Sequence, residues 1–399
     1  MTHERPAPEP AAPSRRARAL LDIAALLGTG GFPEDLLTAS GGIFAYLDAA
    51  PGQPRIPGLA GRLRDRLRKR TDAGAVHAAL AELRTLGYVA GDGSGTVFVH
   101  ESARRNMPAA PDGEAFARAV AAAAEALHDH WPDAPPADER AEADLTMLAC
   151  TAALSEAAGD TLLEQNTDLL FAAGHRMRES PQYSAEQEAE FWQRLQDDCE
   201  RVSGADSEDA FGVREQLGGA LLARGEQWAE TAARHYDLLL ADRSSAVAPG
   251  DEELLATRAN RGEALARAGR AEEAVADLEA ALAEAADHGV PPWPWTAHLR
   301  SRLALAHRLA GRLDTALALR MEEVETAEQR CGRTSGQALY ARLDLACELR
   351  DTDLTEDAAE AFRELREDCG RLPAPLDPLP RRVSEEARRA LEGLEHAAG

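Results

Sequence analysis

Lysine is almost absent from this chain of 399 residues, because Lys69 is the only one and arginine supplies the other basic side chains. The phosphate-binding loop G-x-x-x-x-G-K-[ST] needs a lysine directly after its second glycine. Lys69 instead lies between Arg68 and Arg70. The sequence therefore carries no Walker A nucleotide site of its own.

Aromatic residues and long apolar runs are also scarce. Aromatics make up 5% of the chain, and no apolar run approaches the roughly 18 residues of a membrane-spanning helix. Abundant alanine, leucine, glutamate and arginine favour closely packed helices over sheets. Residues 1–15 are rich in proline and have no apolar core, so we expect a disordered tail rather than a signal peptide, and no membrane partner.

The cysteines form no recognisable framework. There are five, an odd number, and none form a C-x-x-C pair. Because several fall within predicted helices, we expect buried free thiols in a reduced, cytoplasmic protein. The five positions are Cys150, Cys199, Cys331, Cys347 and Cys369.

Charge is distributed unevenly along the chain. Residues 1–110 contain 14 basic and 11 acidic side chains, whereas the remaining residues contain 30 basic and 58 acidic ones. An acidic region repels nucleic acid and anionic membranes and attracts basic partners, within the roughly 8 Å over which charges act at physiological salt. The charge of the long acidic region therefore favours basic protein partners.

The first hundred residues combine helical and strand patterns. Apolar residues recur at helical spacing over 16–28 and again over 72–86. A short helical stretch is expected near Phe32–Leu37, and glycines and prolines from Gly41–Gly42 onward predict a loop.

A β-hairpin is predicted after the second of these helices. Tyr88–Ala90 and Thr96–Val99 are short β-like runs, and the five residues between them have the composition of a turn. Three helices followed by a hairpin are typical of a winged helix, so we expect a winged-helix-like module.

A repeated pattern dominates the second half of the chain. The pattern G-x-x-x-x-A occurs at Gly269 and Gly311 and recurs at Asp353, with steps of 42 residues, while Gly225 lies 44 residues before Gly269. A small residue stands seven positions before each turn, where paired helices must cross closely: Gly218, Gly262, Ala304 and Ala346. This pattern predicts a tetratricopeptide (TPR) type α-solenoid, with about two more helical turns per pair than the ordinary repeat of 34 residues.

The fold is therefore expected to be mainly α, and helices are predicted near 113–131, 138–157, 160–178, 184–202 and 207–224. We divide the chain into a tail over 1–15, a winged-helix-like domain over 16–110, degenerate helical repeats over 111–206, TPR repeats over 207–370, and a linker with a capping helix over 371–399. Ser384, followed by two glutamates, is expected to cap the start of that last helix.

The order of modules resembles a known architecture. Residues 78–107 resemble the end of the winged helix in actinobacterial NB-ARC (STAND-class) regulators, and residues 257–275 resemble their TPR repeats. In that family a nucleotide-binding switch domain precedes both modules, and this sequence lacks it. The likeness covers roughly residues 16–370. It implies either a degenerate relative or a chain that works with an NTPase in trans.

His100 occupies the place of a residue with a role in that family. Val99-His100-Glu101 matches a hydrophobic-His-Asp motif whose histidine senses the nucleotide diphosphate held by the switch domain. The resemblance thus implies a nucleotide sensor acting in trans. The alternative is that His100 caps or packs the junction between the hairpin and the following segment.

A basic amphipathic helix is predicted over residues 59–70, directly before the helix that a winged helix would present to DNA. Its six basic residues are Arg62, Arg64, Arg66, Arg68, Lys69 and Arg70. Contact with DNA phosphates is one interpretation, docking on an acidic protein surface is a second, and a solvated face is the third. The next helix offers only His77, Glu82 and Arg84 to read bases, which predicts poor sequence readout.

The groove of the predicted solenoid is the leading candidate site. In TPR proteins the first helix of each pair lines the concave face, and the register set by the turns points eight residues towards it: Asn260, Glu263, His298, Arg302, Arg308, Tyr340, Asp344 and Arg350. This polar set of mixed charge suits an extended peptide held by hydrogen bonds. The alternative is that these residues pair only with one another inside the chain.

No catalytic constellation is apparent from spacing. His128 and His130 are two residues apart and would face different sides of a helix. We therefore expect no catalytic residues, no metal and no cofactor. The leading hypothesis is a non-enzymatic scaffold or adaptor with a regulatory role and a protein or peptide partner. The alternative is a DNA-binding transcriptional regulator that uses the winged helix and the basic helix. The oligomeric state stays open.

Overall fold

A computed structural model describes residues 12–48, 73–91, 95–101, 113–131, 137–248, 250–291, 296–372 and 378–398. Their contacts divide the chain into two compact units. The N-terminal unit comprises residues 1–184 and 197–203, and the C-terminal unit comprises 185–196 and 204–399. The predicted basic helix over 59–70 and most of the predicted tail lie outside the described residues.

The N-terminal unit begins with four helices and three short strands. In chain order these are α1 (Arg15–Leu26), β1 (Phe32–Pro33), α2 (Asp35–Thr38), α3 (Gly41–Asp48), α4 (residues 73–85), β2 (Val89–Gly91) and β3 (Thr96–Val99). The strands form an antiparallel sheet in the order β1-β3-β2. Leu20 of α1, Leu80 of α4 and Val97 of β3 are completely buried, so the apolar faces predicted from helical spacing do form a core.

The predicted hairpin is confirmed, but the sheet has a third strand. Val89 pairs with Val99, and Phe32 pairs with Val97 on the other side of β3. The prediction of a helix near Phe32–Leu37 was therefore wrong at its start, because helix α2 begins at Asp35. The Phe32 side chain is fully buried, and Pro33 fits an edge strand because it has no N–H to leave unpaired.

The prediction of a loop at Gly41–Gly42 was also wrong, because both glycines lie in the first turn of α3. A Cβ atom at Gly42 would come within 2.5 Å of the Glu125 carboxylate. Gly42 therefore permits close helix packing rather than a turn, and a pattern that treats glycine as a breaker does not separate the two roles.

Five more helices follow: α5 (Gly113–His130), α6 (Ala137–Ala158), α7 (Asp160–Gln165), α8 (Thr167–Glu179) and α9 (Ala185–Ser203). Helix α5 packs on α1, α3 and α6 through buried alanines such as Ala123 and Ala126. The single helix predicted near 160–178 is in fact two, because Asn166 adopts φ −146° and ψ 44° between α7 and α8.

The C-terminal unit contains four consecutive antiparallel helix pairs, so the predicted repeat is confirmed. The pairs are α10 (Glu208–Ala223) with α11 (Ala229–Ala246), α12 (Glu252–Arg267) with α13 (Ala271–Asp287), α14 (Ala297–Leu309) with α15 (Leu313–Cys331), and α16 (Gly336–Asp351) with α17 (Thr355–Gly370). Each pair packs on the next, which is the arrangement of an α-solenoid.

The turns explain the repeat spacing. Gly269 and Gly311 have φ of 82° and 77°, and Asp353 takes the same place with φ 62°, the only positive φ of a non-glycine residue in the described ranges. In the first pair a 3-10 turn at Glu226–Trp228 follows Gly225. That turn accounts for the longer first step and for the shifted alanines.

Small residues sit where the helices of a pair cross. A Cβ atom at Gly218 would overlap the Tyr236 ring, and one at Gly262 would approach Leu278 to 2.7 Å. Ala304 and Ala346 occupy the same place in the later pairs and are completely buried. A larger side chain would force the two helix axes apart.

An arginine at one equivalent position joins the two helices of each pair. The steps between these arginines match the turn spacing. Three of the partners lie in the later turns of the second helix, and Glu322 lies near the middle of its helix: Arg214 with Asp242, Arg258 with Glu284, Arg300 with Glu322, and Arg342 with Asp368.

Helix α18 (Pro378–Ala398) covers the last pair. Val383, Ala387 and Leu391 complete an apolar cluster with Leu339 and Phe362. The prediction that Ser384 caps this helix was wrong, because the helix starts six residues earlier. Proline is tolerated in a first helical turn, where the N–H it lacks would have no intrahelical partner.

Candidate functional site

The first helices α10, α12 and α14 form the inner layer of the C-terminal unit, and α16 continues this layer through side-chain contacts with α14. Helix α12 packs against α14 and also touches α10, whereas no two second helices approach as closely within the described residues. In a curved stack, the layer whose members lie closer together is on the inside. The exposed side of α10, α12, α14 and α16 is called the inner surface below.

The eight predicted groove residues all lie on these first helices. Asn260 and Glu263 belong to α12, the next three to α14 and the last three to α16. The 42-residue step aligns Asn260 with Arg302 and Asp344, His298 with Tyr340, and Arg308 with Arg350. The structure brings most of them into contact with each other or with neighbouring first helices.

A hydrogen-bonded chain crosses three first helices in the stretch from α10 to α14. The Asn260 amide donates from Nδ2 to Oε1 of Glu215 at 2.6 Å, and Oδ1 of Asn260 lies 3.0 Å from Nε2 of His298. Thr257 donates to the second oxygen of Glu215 at 2.8 Å. Burial raises the pKa of Glu215, and the two hydrogen bonds oppose that rise.

His298 retains exposed surface at this position, yet its protonated form is disfavoured. Desolvation by the surrounding helices and, second, the Arg302 guanidinium lower the pKa of the imidazole to about 4, and Glu263 only partly opposes this. The ring is therefore neutral at neutral pH, with one nitrogen engaged by Asn260.

Glu263 anchors two arginines beside this chain. One of its carboxylate oxygens lies 2.8 Å from Nε of Arg267, and the other lies 3.0 Å from Nε of Arg302. Glu263 is buried, whereas the Arg302 side chain is 28% exposed. The carboxylate thus forms an ion pair with Arg302 and leaves part of the guanidinium exposed.

A second, denser network occupies the stretch from α14 to α16. Nε of Arg308 lies 2.9 Å from Glu348, and Arg320 reaches from the second helix α15 to Asp344 at 3.1 Å and to Ser301 at 2.7 Å. The side chains of Arg320 and Glu348 are only 8% and 4% exposed. Burial raises the pKa of Glu348, and the two arginines oppose the rise.

Tyr340 and Arg350 are the most open of the predicted residues on α16. Tyr340 is 38% exposed, and Arg350 makes an ion pair with its neighbour Asp351 at 2.9 Å. Glu215, Arg320 and Glu348 also belong to this surface, and the repeat register alone does not reveal them. Arg320 lies on a second helix, so only the contact across the pair reveals its part in this surface.

The other predicted sites are in the N-terminal unit. His100 is exposed after β3, where its backbone N–H donates to Tyr88 at 3.0 Å, and it lines a shallow cavity with Glu34, Arg84 and Glu101. On α4, Glu82 accepts hydrogen bonds from Ser14, and Arg84 pairs with Glu34 at 2.5 Å. The six basic residues of the predicted helix over 59–70 lie outside the described residues.

None of the described helices is long and apolar enough to cross a membrane. No protein-family model matches the sequence, and no curated protein matches it.

Solved structures that match this chain include proteins with TPR-like repeats. The nearly identical TPR-like repeats of a kinesin light chain from Podosopora anserina are 14% identical over 58% of this chain and 98% of that chain, with a TM-score of 0.38. A second structure of such repeats from that source is 16% identical over 52% and 95%, also with a TM-score of 0.38. A signal transduction ATPase with numerous domains and a tetratricopeptide repeat sensor, from Pyrococcus horikoshii, is 13% identical over 96% of this chain and 60% of that chain, with a TM-score of 0.32.

Proposed function

We propose that this protein is a non-enzymatic scaffold that binds a protein or peptide partner on the inner surface of its C-terminal unit. The observation that carries the proposal is the row of exposed polar side chains at equivalent positions of successive first helices. His298 and Tyr340 lie one repeat apart and both keep exposed surface, and Arg302 lies one turn from His298. Tyrosine and arginine are the residue types most enriched in the energetic centres of protein interfaces.

The support of these side chains also favours binding. Asn260, which is itself bonded to Glu215, is hydrogen-bonded to the His298 ring, and Glu263 is ion-paired with the Arg302 guanidinium. Side chains held in one orientation lose little conformational entropy when a partner binds. Such a surface is suited to capture a partner without a large rearrangement.

The test is capture of a partner by the tagged full chain in lysate of its host, with two matched variants. We expect a stoichiometric partner to be retained by the wild type and by a control with Leu238→Ser and Met321→Ser, which alters exposed residues of second helices. The variant with His298→Ala, Arg302→Ala and Tyr340→Ala should lose it while keeping the same circular dichroism and denaturant midpoint. Equal retention by both variants would contradict the proposal.

We further propose that the N-terminal unit contains a winged-helix module. The order of α1, β1, α2, α3, α4, β2 and β3 and the strand order β1-β3-β2 support this assignment, because a hairpin follows a group of helices as in a winged helix, although the group contains four helices rather than the three expected. DNA readout by α4 is less favoured, since Glu82 and Arg84 are engaged by Ser14 and Glu34. A duplex mobility assay at low salt, with Arg62–Arg70 neutralised as the control, tests the DNA-binding alternative.

A more specific version of the scaffold proposal is a regulatory role in which the partner is an NTPase on a separate chain. The exposure of His100 at the rim of a cavity supports it, because a residue that senses a partner's nucleotide must be accessible. We expect an NTPase among captured partners of the wild type and a weaker nucleotide dependence of that capture in the His100→Ala variant. Capture that does not respond to nucleotide would contradict this role.

A further inference from the structure

The hydrogen-bonded chain on the inner surface fixes which nitrogen of His298 carries the proton. The Asn260 amide donates to Glu215 from Nδ2, so the oxygen of the same amide is the atom that faces His298. A carbonyl oxygen only accepts, and Nε2 of His298 must therefore donate. In a neutral imidazole the other nitrogen, Nδ1, is then a hydrogen-bond acceptor.

We propose that Nδ1 of His298 is the acceptor of a peptide-binding subsite that recognises a main-chain N–H of an extended partner peptide. This inference rests on the proposed function and assigns a specific role to one residue of that surface. Glu215 and Asn260 act as positioning residues, because they set the tautomer without touching the ligand. The low pKa of the imidazole keeps Nδ1 unprotonated at neutral pH.

The neighbouring Arg302 supplies the complementary donor. His298 and Arg302 are four residues apart on α14 and therefore lie on the same face of the helix. Nε of Arg302 is ion-paired with Glu263 at 3.0 Å, and the Arg302 side chain is 28% exposed, so its guanidinium remains accessible to a ligand. An acceptor and a donor one helical turn apart match the N–H and C=O groups of an extended main chain.

The pairing also indicates which class of ligand the subsite takes. A neutral acceptor beside a guanidinium whose charge is partly balanced by Glu263 gives little preference for a charged side chain. Main-chain groups occur in every peptide, so the subsite contributes affinity with little dependence on the side chain of the contacting residue. Sequence preference must then arise from other positions, such as the exposed Tyr340 one repeat further along.

The tautomer is tested on the full chain by long-range nitrogen–proton correlation spectra, with His298→Gln to assign the ring. We expect Nδ1 to show the shift of an unprotonated nitrogen at neutral pH, and Asn260→Leu to give mixed tautomers. A proton on Nδ1 in the wild type would overturn the inference and leave the scaffold proposal standing.

The subsite is tested with random linear peptides displayed and selected on the immobilised full chain. For the best binder we expect His298→Leu to weaken Kd about tenfold, equivalent to about 1.4 kcal/mol, and His298→Gln, which keeps an acceptor oxygen, to restore most of the loss. N-methylation of the main chain at one peptide position should weaken binding to the wild type to the same extent. The same N-methylation should not weaken binding to the His298→Leu variant any further.

Two results would overturn the inference. If every N-methylation has the same effect on the wild type and on His298→Leu, then His298 contacts no main-chain N–H, although the inner surface still binds peptide. If selection yields no peptide that binds the wild type, then both the subsite and peptide binding on the inner surface are contradicted.

Discussion

Two neighbouring stretches of the inner surface use similar residues in different ways. In the α12–α14 stretch, His298 and Arg302 are held from one side by Asn260 and Glu263 and keep exposed surface on the other. In the α14–α16 stretch, Arg320 and Glu348 are almost completely enclosed and are surrounded by opposite charges. The first arrangement leaves exposed polar side chains for a partner, whereas the second buries Arg320 and Glu348 in ion pairs that join two helix pairs.

This difference changes which substitutions report on binding. From the repeat register alone, one would replace Arg302, Arg308 and Asp344 together to test partner binding. Arg308 pairs with the buried Glu348, and Asp344, whose own side chain is 46% exposed, pairs with the buried Arg320. Their removal would therefore alter stability as well as binding. His298, Arg302 and Tyr340 are the set that separates the two effects.

The largest expected effect tests the enclosed stretch directly. Arg320→Ala removes the cation that pairs with Glu323 and Asp344 and leaves Glu348 with Arg308 alone. We expect the free energy of unfolding to fall by about 2 to 3 kcal/mol. His298→Leu in the open stretch should change it by less than about 1 kcal/mol. Urea titrations followed by circular dichroism measure both, and equal losses would remove the distinction between the stretches.

The arginines that join the helices of each pair provide a second contrast of the same kind. Arg342 is 8% exposed and pairs with Asp368, whereas Arg300 is 30% exposed and faces Glu322 at 3.7 Å. We expect Arg342→Ala to lower the free energy of unfolding by about 2 kcal/mol, since Arg333 still pairs with Asp368, and Arg300→Ala by about 0.5 kcal/mol. A larger loss for Arg300→Ala would show that enclosure does not determine the strength of these pairs.

The pH dependence of stability tests the lowered pKa of His298. Its pKa is lowered from 6.5 to about 4 in the folded chain, so between these values the unfolded chain binds a proton that the folded chain does not. Stability therefore falls as the pH is lowered through this window. The His298→Gln variant should lose less stability between pH 6.5 and about 4 than the wild type does. Urea midpoints with the same pH dependence in both proteins would contradict the lowered pKa.

The smallest expected effect is at the turn after α16. Asp353 adopts φ 62°, a conformation that costs most non-glycine residues roughly 1 kcal/mol. Asp353→Gly relieves this cost but also increases the entropy of the unfolded chain, which offsets part of the gain. We therefore expect the free energy of unfolding to rise by only about 0.5 kcal/mol. Asp353→Val should lower it by more than that. The reverse order in thermal unfolding would show that the turn is not strained.

The sequence predicts the periodic part of the fold better than the irregular part. Gly269, Gly311 and Asp353 reveal the helix pairs because a left-handed turn and a close helix crossing both restrict residue type. In the N-terminal unit, Gly42 serves helix packing against Glu125 rather than a turn. The strand at Phe32 depends on pairing with Val97, a partner 65 residues away. Such long-range partners leave no local pattern.

The inner surface was predictable only in part. The register identifies Asn260, His298 and Tyr340 because residues one repeat apart share a face. It does not reveal that Glu215 and Asn260 fix the protonation of His298, because that depends on which atoms approach each other. The repeated arginines were present in the sequence at the turn spacing, and aligning the pairs by position would have found them.

The most direct test of partner binding on the inner surface is site-specific photocrosslinking in the full chain. A benzophenone side chain is introduced at Tyr340 on the inner surface or, as the control, at Met321, which is 61% exposed on the second helix α15. After irradiation in host lysate we expect a discrete protein adduct from position 340 and none of that size from position 321. The same adduct from both positions, or an adduct from position 321 alone, would contradict the account.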